Sequence, residues 1–456
     1  MTTPERVRVA LLHSPFLSEP LNRFAITSLF CSSFPSVIQN AELILQTFPN
    51  LEVLKVIDSN TICSEYEFNL NMFSRSKELF IKCFTLPRFS FLPPSDNSET
   101  PKLLHLESLS LEDSGFPPPM DSIMSLLGPV TGGQLRSLST SLKITDFQIF
   151  PKLESLFVVI HDFENIEDFR KFSSQKLTSL TMTLAEPSMA SHVEFNRFPK
   201  LESLHVASVE ILDQIPPNNV VGITSLRSLI LDGGVAVSID SFADSTNLTK
   251  LALRLPSQLT ECGFISAVGR LKQLSHLDLE CCFLIDNGGL ALLRVLSELS
   301  ALTYLRLFSW KTSDQIEPTI FLPYIPITVQ ELHLEKFHFE NHDMELLHRL
   351  ERLEVLALAF HEATFISDGF LEPLKSMKTL KSLSMVHTYP LSHNHIISSE
   401  FLSGLCASLP NLEVLKSEGM TLKSDQRELL ATYPHIDYIR VKNLKNYEYS
   451  PKVIII

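Results

Sequence analysis

The phrase FPNLEVLK occupies residues 48–55 and LPNLEVLK occupies 409–416, while FPKLESL stands at 150–156 and again, letter for letter, at 198–204. Aligned on the first leucine, the shared rule is L-x-x-L-x-L. Clear copies begin at Leu51, Leu106, Leu153, Leu177, Leu201, Leu226, Leu248, Leu274, Leu302, Leu353 and Leu380. Val329 begins one more, Leu412 and Ile436 begin looser ones, and Leu79 and Leu135 mark weaker candidates. From Leu201 onward the starts are 22 to 32 residues apart. Leucines at the fourth and sixth positions alternate with polar residues, as a short strand with one buried face requires. The first leucine turns inward as the chain enters that strand.

The residues between phrases must carry the chain back to the next strand, and they read as helical. In DNGGLALLRVLSELSAL (286–302), Leu290, Leu293, Val295, Leu296 and Leu299 fall on one helical face. SDGFLEPLKSMKTL (367–380), SSEFLSGLCASLPNL (398–412) and KSDQRELLATYPHI (423–436) repeat the arrangement. Pro49, Pro151, Pro199, Pro410 and Pro434 stand just before strands and end the helices. One strand–helix unit cannot bury its own apolar face, whereas stacked units share a continuous core. Period and pattern therefore predict an α/β leucine-rich repeat solenoid: a horseshoe with a parallel β-sheet on its concave face and helices on its convex face. The expected organisation is a helical cap over 1–47, with helical stretches at 21–34 and 37–48. An array of about 15–16 irregular repeats over 48–442 and a cap over 443–456 follow. Proline-marked stretches at 85–104, 115–121 and 214–219 read as loops.

On these strands, together with DNGGLALL (286–293) and SDGFLEPL (367–374) at helix starts, the chain resembles the ribonuclease-inhibitor-like class of leucine-rich repeats. It is most similar to the arrays that follow an F-box in ubiquitin-ligase substrate receptors. The resemblance covers roughly residues 37–442. It implies a non-enzymatic scaffold that recognises substrates or adapts them to a ligase. Two features depart from that pattern. The ninth position, usually Asn or Cys, fits only at Cys282, and Trp310, Phe337, His361 and Met420 stand there in other repeats. Residues 1–47 do not read as an F-box.

Composition narrows the function classes. Formal net charge is −14, the opposite of the basic surface that displaces counterions from nucleic acid. Only 14 of 456 residues are glycine, which argues against phosphate cradles, and no P-loop, Rossmann or GxSxG motif occurs. His338, His342 and His348 lie in HFENHDMELLH, and His387, His393 and His395 lie in HTYPLSHNH; neither spacing matches a zinc motif. The seven cysteines hold no CxxC pair and read as reduced core residues, vicinal Cys281 and Cys282 included. No apolar run reaches the about 18 residues of a membrane span, and Arg6, Arg8 and His13 interrupt any signal-like core. The sequence thus predicts no catalytic residue, cofactor, metal, nucleic acid or membrane, in a cytoplasmic or nuclear protein.

A partner site is read from the strand register, in which the third, fifth and seventh positions face the concave side. From 108 to 183 these are mostly small hydroxyl residues: Ser108, Ser110, Ser137, Ser139, Ser141, Ser155, Ser179, Thr181 and Thr183. From 250 to 335 they become charged and aromatic: Lys250, Arg254, His276, Asp278, Glu280, Tyr304, Arg306, Phe308, His333 and Glu335, with Trp310 just beyond. Val355, Ala357 and Ala359 close the band. Trp, Tyr and Arg dominate interface hot spots, so the band is the expected protein-binding patch, centred on Tyr304, Arg306 and Trp310. The alternative role is a regulator of an enzyme such as a small GTPase or a phosphatase. An enzyme with a site spread over several repeats has no motif to support it.

Overall fold

A computed structural model describes residues 28–31, 37, 44, 46, 48, 50–62, 67–69, 76–85, 88–90, 105–113, 134–141, 144, 147–186, 189, 193–208, 223–232, 245–254, 262–280, 293–308, 318–360, 368–387, 398–418, 429–430, 432–433 and 435–441. By its internal contacts the chain forms two units, Met1–Leu226 and Arg227–Ile456.

The first unit contains β1 (Ser28–Cys31), β2 (Val53–Ile62), β3 (Glu67–Asn69), β4 (Glu78–Thr85), β5 (Arg88–Ser90), β6 (Ser108–Asp113), β7 (Ser137–Thr140), β8 (Ser155–Ile160), β9 (Ser179–Leu184) and β10 (Ser203–Ser208). β1, β2, β4, β6, β7, β8, β9 and β10 pair in that order, every pairing parallel. Leu29, Leu54, Leu79, Leu109, Leu138, Leu156, Leu180 and Leu204 stand in register across them.

The second unit contains β11 (Ser228–Asp232), β12 (Lys250–Arg254), β13 (His276–Glu280), β14 (Tyr304–Phe308), β15 (Glu331–Phe337), β16 (Val355–Phe360), β17 (Ser382–His387), β18 (Val414–Glu418) and β19 (Asp437–Val441), again paired in order and parallel. Its ladder runs Leu229, Leu251, Leu277, Leu305, Leu332, Leu356, Leu383 and Leu415. From Leu54 to Leu415, every rung of both ladders is 2% exposed or less. Each such leucine contributes roughly 1.5–3 kcal/mol by leaving water, which is why the phrase recurs. The fold is the leucine-rich repeat solenoid that the period predicted.

Hydroxyls join successive repeats at the strand entrances. Ser225 Oγ donates to the Leu201 carbonyl at 2.7 Å, Thr328 Oγ1 to that of Leu302 at 2.7 Å, and Thr379 Oγ1 to that of Leu353 at 2.8 Å. Thr249, Ser275 and Thr303 each donate to the residue one repeat back, at 3.1, 3.1 and 3.2 Å. Carbonyls at the strand entrances thereby gain side-chain partners from the next repeat.

The structure departs from the sequence reading at several places. Ser28–Cys31, inside the stretch expected to be helical, is a strand paired with Val53–Val56, so the sheet begins before residue 48. Leu79 registers with Leu54, a fourth position, so its repeat begins at Ser76, which is 2% exposed in a leucine's place. Within the expected loop 85–104, Arg88–Ser90 forms a small two-stranded sheet with Glu67–Asn69. The stretches 115–121, 214–219 and 443–456 lie outside the described residues, as do Cys281, Cys282, Trp310, His361 and Met420.

The returning segments are helical, but several are short. α1 (Phe163–Arg170), α2 (Cys262–Arg270), α3 (Asn341–Leu346), α4 (Asp368–Leu371) and α5 (Ser399–Ser408) vary from four to ten residues. α5 is capped by Ser398 Oγ, which accepts from the Phe401 amide at 3.0 Å. Among the described residues between β14 and β15, the chain forms the 3₁₀ turns Pro318–Ile320 and Leu322–Tyr324. Pro318, Pro323 and Pro326 lack the N–H that a longer helix would use. Arg349 takes over there, donating to the Leu322 carbonyl at 3.0 Å and that of Ile325 at 2.8 Å.

Candidate functional site

The solvent face of β11–β15 carries three parallel rows of side chains, set by the register. The third-position row is Lys250, His276, Tyr304 and Glu331. The fifth-position row is Ala252, Asp278, Arg306 and His333. At the seventh position Asp232 aligns with Arg254, and Glu280 with Phe308 and Glu335.

The most ordered element is a chain of alternating charges crossing five strands. Asp232 Oδ1 lies 3.4 Å from Arg254 Nη1. Arg254 donates to Asp278 Oδ2 through Nη2 at 2.9 Å and Nε at 3.3 Å. The same oxygen accepts from Arg306 Nη1 at 3.1 Å. Arg306 then forks onto Glu335, with Nε to Oε1 at 2.8 Å and Nη2 to Oε2 at 3.1 Å. Only a planar guanidinium can hold two carboxylates in this way. Arg306 and Asp278 are buried, at 7% and 8% exposure, beneath the flanking side chains.

That burial changes the meaning of the expected patch. Arg306 stands at its centre, but its guanidinium is committed to Asp278 and Glu335 and serves as a foundation. The outward element is a strip of rings. The His276 and Tyr304 rings stack with centroids 5.5 Å apart and 20° between planes, and Tyr304 and His333 follow at 5.3 Å and 36°. Ser275 Oγ fixes His276 at Nδ1, at 2.8 Å, and Glu331 Oε1 meets His333 Nε2 at 2.7 Å. The hydrogen bond from His333 holds the Glu331 carboxyl below its ordinary range, against burial. Burial and the nearby Lys250 charge lower the His276 imidazole, while Glu331 opposes them.

Burial pushes the Tyr304 phenol up to about 12, with Asp278, Glu331 and Glu335 adding to the shift and Arg306 opposing it. The neutral phenol is therefore the favoured form in the fold. Its contribution to stability is complete below the unfolded value of about 10 and is lost as pH rises from there through about 12. In an alkaline titration, the wild-type minus Tyr304→Phe difference in the ultraviolet phenolate band should rise near pH 12. A rise near pH 10 in folded protein would show that the ring is not buried as described.

At the end of β15 the backbone bulges. The register with β16 shifts between Glu335 and Phe337, and Lys336 between them has φ of 61°. A non-glycine residue there is strained. Two contacts compensate: Lys336 Nζ sits 4.9 Å from the Phe308 ring centroid, and Phe337 turns fully inward, 4.8 Å from Phe321.

The structure thus brings together Lys250, Arg254, His276, Asp278, Tyr304, Arg306, Phe308, His333 and Glu335. Glu280 is described by its backbone register alone, and Trp310 lies outside the described residues. Sequence reasoning missed Asp232, Glu331 and Lys336. Asp232 and Glu331 were legible as seventh and third positions in the same register; the bulge at Lys336 had no sequence signal. Among the described residues, no group of three His, Cys, Asp or Glu could hold a metal, and no helix is long and apolar enough to cross a membrane. Cys406 is buried, and burial pushes its thiol up to about 11, which makes it an inert core residue.

The sheet, its leucine ladders and its repeated return segments define a leucine-rich repeat protein. No family model matches the chain. It is similar to the mouse (Mus musculus) baculoviral IAP repeat-containing protein 1a, with 26% identity over 334 residues, 65% of this chain and 23% of that protein. The chain thus spans under a quarter of that relative's length. Among solved structures, an internalin (inlF) of Listeria monocytogenes is similar at a TM-score of 0.37 and 16% identity, covering 83% of this chain and 93% of its own. TLR13, in its complex with ssRNA13, is similar at a TM-score of 0.41 and 16% identity, covering 93% of this chain and 63% of its own.

Proposed function

We propose that this protein is a non-enzymatic recognition scaffold that binds another protein on the sheet face of β12–β15. The observation carrying the reading is the strip of His276, Tyr304 and His333, three rings in contact on the solvent side of the sheet. Their backbone is fixed by parallel pairing and their bed by the ion chain below, so little side-chain freedom remains to be lost on binding. Aromatic anchors held in this way are the usual core of a binding hot spot.

The test is affinity capture from native lysate with wild-type protein, Tyr304→Ala, and Lys416→Ala on β18 as a control. Partners lost with Tyr304→Ala and kept with the control support the strip as the binding face. An unchanged partner set removes it. Truncating a central aromatic anchor typically costs 2 kcal/mol or more, roughly a thirtyfold loss of affinity.

The role as a ligase adaptor, implied by the F-box/leucine-rich repeat resemblance, is a narrower proposal. It depends on residues 1–47, of which 28–31, 37, 44 and 46 are described. Cullin-type subunits retained by both variants would support it, and their absence from every capture would retire it. A small GTPase or a phosphatase in the Tyr304-dependent set would favour the enzyme-regulator role instead.

A further inference from the structure

The ion chain settles most charges of the fifth and seventh rows against one another. The third-position row is arranged differently. Lys250 is exposed and makes no ion pair among the described residues. Glu331 keeps 40% of its side-chain surface open, with one oxygen on His333. His276 and Tyr304 stack between them. The row therefore reads cation, ring, ring, anion over four adjacent strands, and uncharged Ser228 and Val355 occupy the same register position on the strands beyond.

Spacing turns this order into a template. Neighbouring strands stand about 4.8 Å apart, so the strand axes under Lys250 and Glu331 are about 14 Å apart. An extended peptide rises about 3.4 Å per residue and points alternate side chains the same way. Its residues i, i+2 and i+4 therefore span about 14 Å on one face. The middle residue falls over the junction of β13 and β14, where His276 and Tyr304 stack.

Resting on the recognition face proposed above, we infer that the row of Lys250, His276, Tyr304 and Glu331 reads an extended peptide lying across the strands. A carboxylate side chain of that peptide lies over Lys250, an apolar or aromatic one over the His276–Tyr304 pair, and a lysine or arginine over Glu331, each two residues from the next.

The experiment uses the full chain and two fluorescein-labelled peptides with blocked ends: one ordered aspartate–serine–tyrosine–serine–lysine, and one with aspartate at both outer positions. Binding is followed by anisotropy at low salt. A favourable exposed ion pair contributes up to about 1 kcal/mol, close to fivefold in affinity, so the mixed-charge peptide should bind about fivefold tighter to wild type. Glu331→Lys should invert the preference, making the doubly acidic peptide the tighter ligand. Lys250→Glu should weaken the mixed-charge peptide by a similar factor. An inverted preference is a gain that misfolding cannot produce, and Glu331→Gln should abolish the preference without inverting it. Equal binding of both peptides to wild type, or a preference that Glu331→Lys leaves unchanged, overturns the inference. If the peptides fail while Tyr304→Ala still strips partners in the capture, the recognition face stands and only its extended-peptide ligand falls.

Discussion

Arg306→Ala should destabilise the protein by about 3–5 kcal/mol, the cost of breaking a buried ion pair from one side. The magnitude follows from what the substitution leaves behind. Asp278, 8% exposed, would lose one of its two arginines, and Glu335 would lose both guanidinium hydrogen bonds. Arg306→Lys should recover only part of the loss, because a point ammonium cannot fork onto Glu335 while also reaching Asp278. The combined variant Asp278→Leu, Arg306→Met and Glu335→Gln should be far closer to wild type than Arg306→Ala. Removing both signs of a buried pair takes away its desolvation cost as well as its attraction. Urea unfolding midpoints of the four proteins decide the matter. A shift below about 1 kcal/mol for Arg306→Ala would place the guanidinium in solvent, as an ordinary surface pair.

This prediction marks the limit of what the sequence disclosed. The leucine ladders were legible because each fourth-position leucine has the same buried neighbours on both sides, and one rule then covers the whole sheet. The alternation of strand faces also put nine of the band residues at third, fifth and seventh positions of neighbouring strands, where the register aligns them. Alternation gives direction but not depth. Arg306 points to the same side as Tyr304, yet two carboxylates hold it in a buried position, and that depends on the two adjacent repeats. Strand alternation could have found Glu331, whose importance lies in its bond to His333 two residues along the same strand. The return segments were the least legible. A leucine spacing that fits a helix is equally met by a short helix continued as a 3₁₀ turn, as in Asp368–Leu371 followed by Glu372–Ser376. Strand Ser28–Cys31 was hidden because SLFC carries one leucine of the rule and reads as well in a helix.

Phe169→Ala carries the largest expected effect in the first unit, about 3–5 kcal/mol. Among the described residues, the return segments between β7 and β10 carry α1 and the 3₁₀ turns Phe147–Ile149 and Phe195–Arg197, and phenylalanines pack between them. Phe169 lies 5.2 Å from Phe147, edge to face, and 5.9 Å from both Phe172 and Phe198. All four rings are 2% exposed or less and come from three successive return segments. Deleting the ring therefore opens a cavity shared by several repeats, and Phe169→Leu should cost much less because it refills most of that volume. In a solenoid each repeat is stabilised by its immediate neighbours, so the damage should also be local. Hydrogen exchange should show amides of β8 and β9 losing protection by the full amount, while those of β15–β17 keep theirs. Equal loss at both places would mean that the array opens as a single cooperative body, and the nearest-neighbour account of its stability would have to be abandoned.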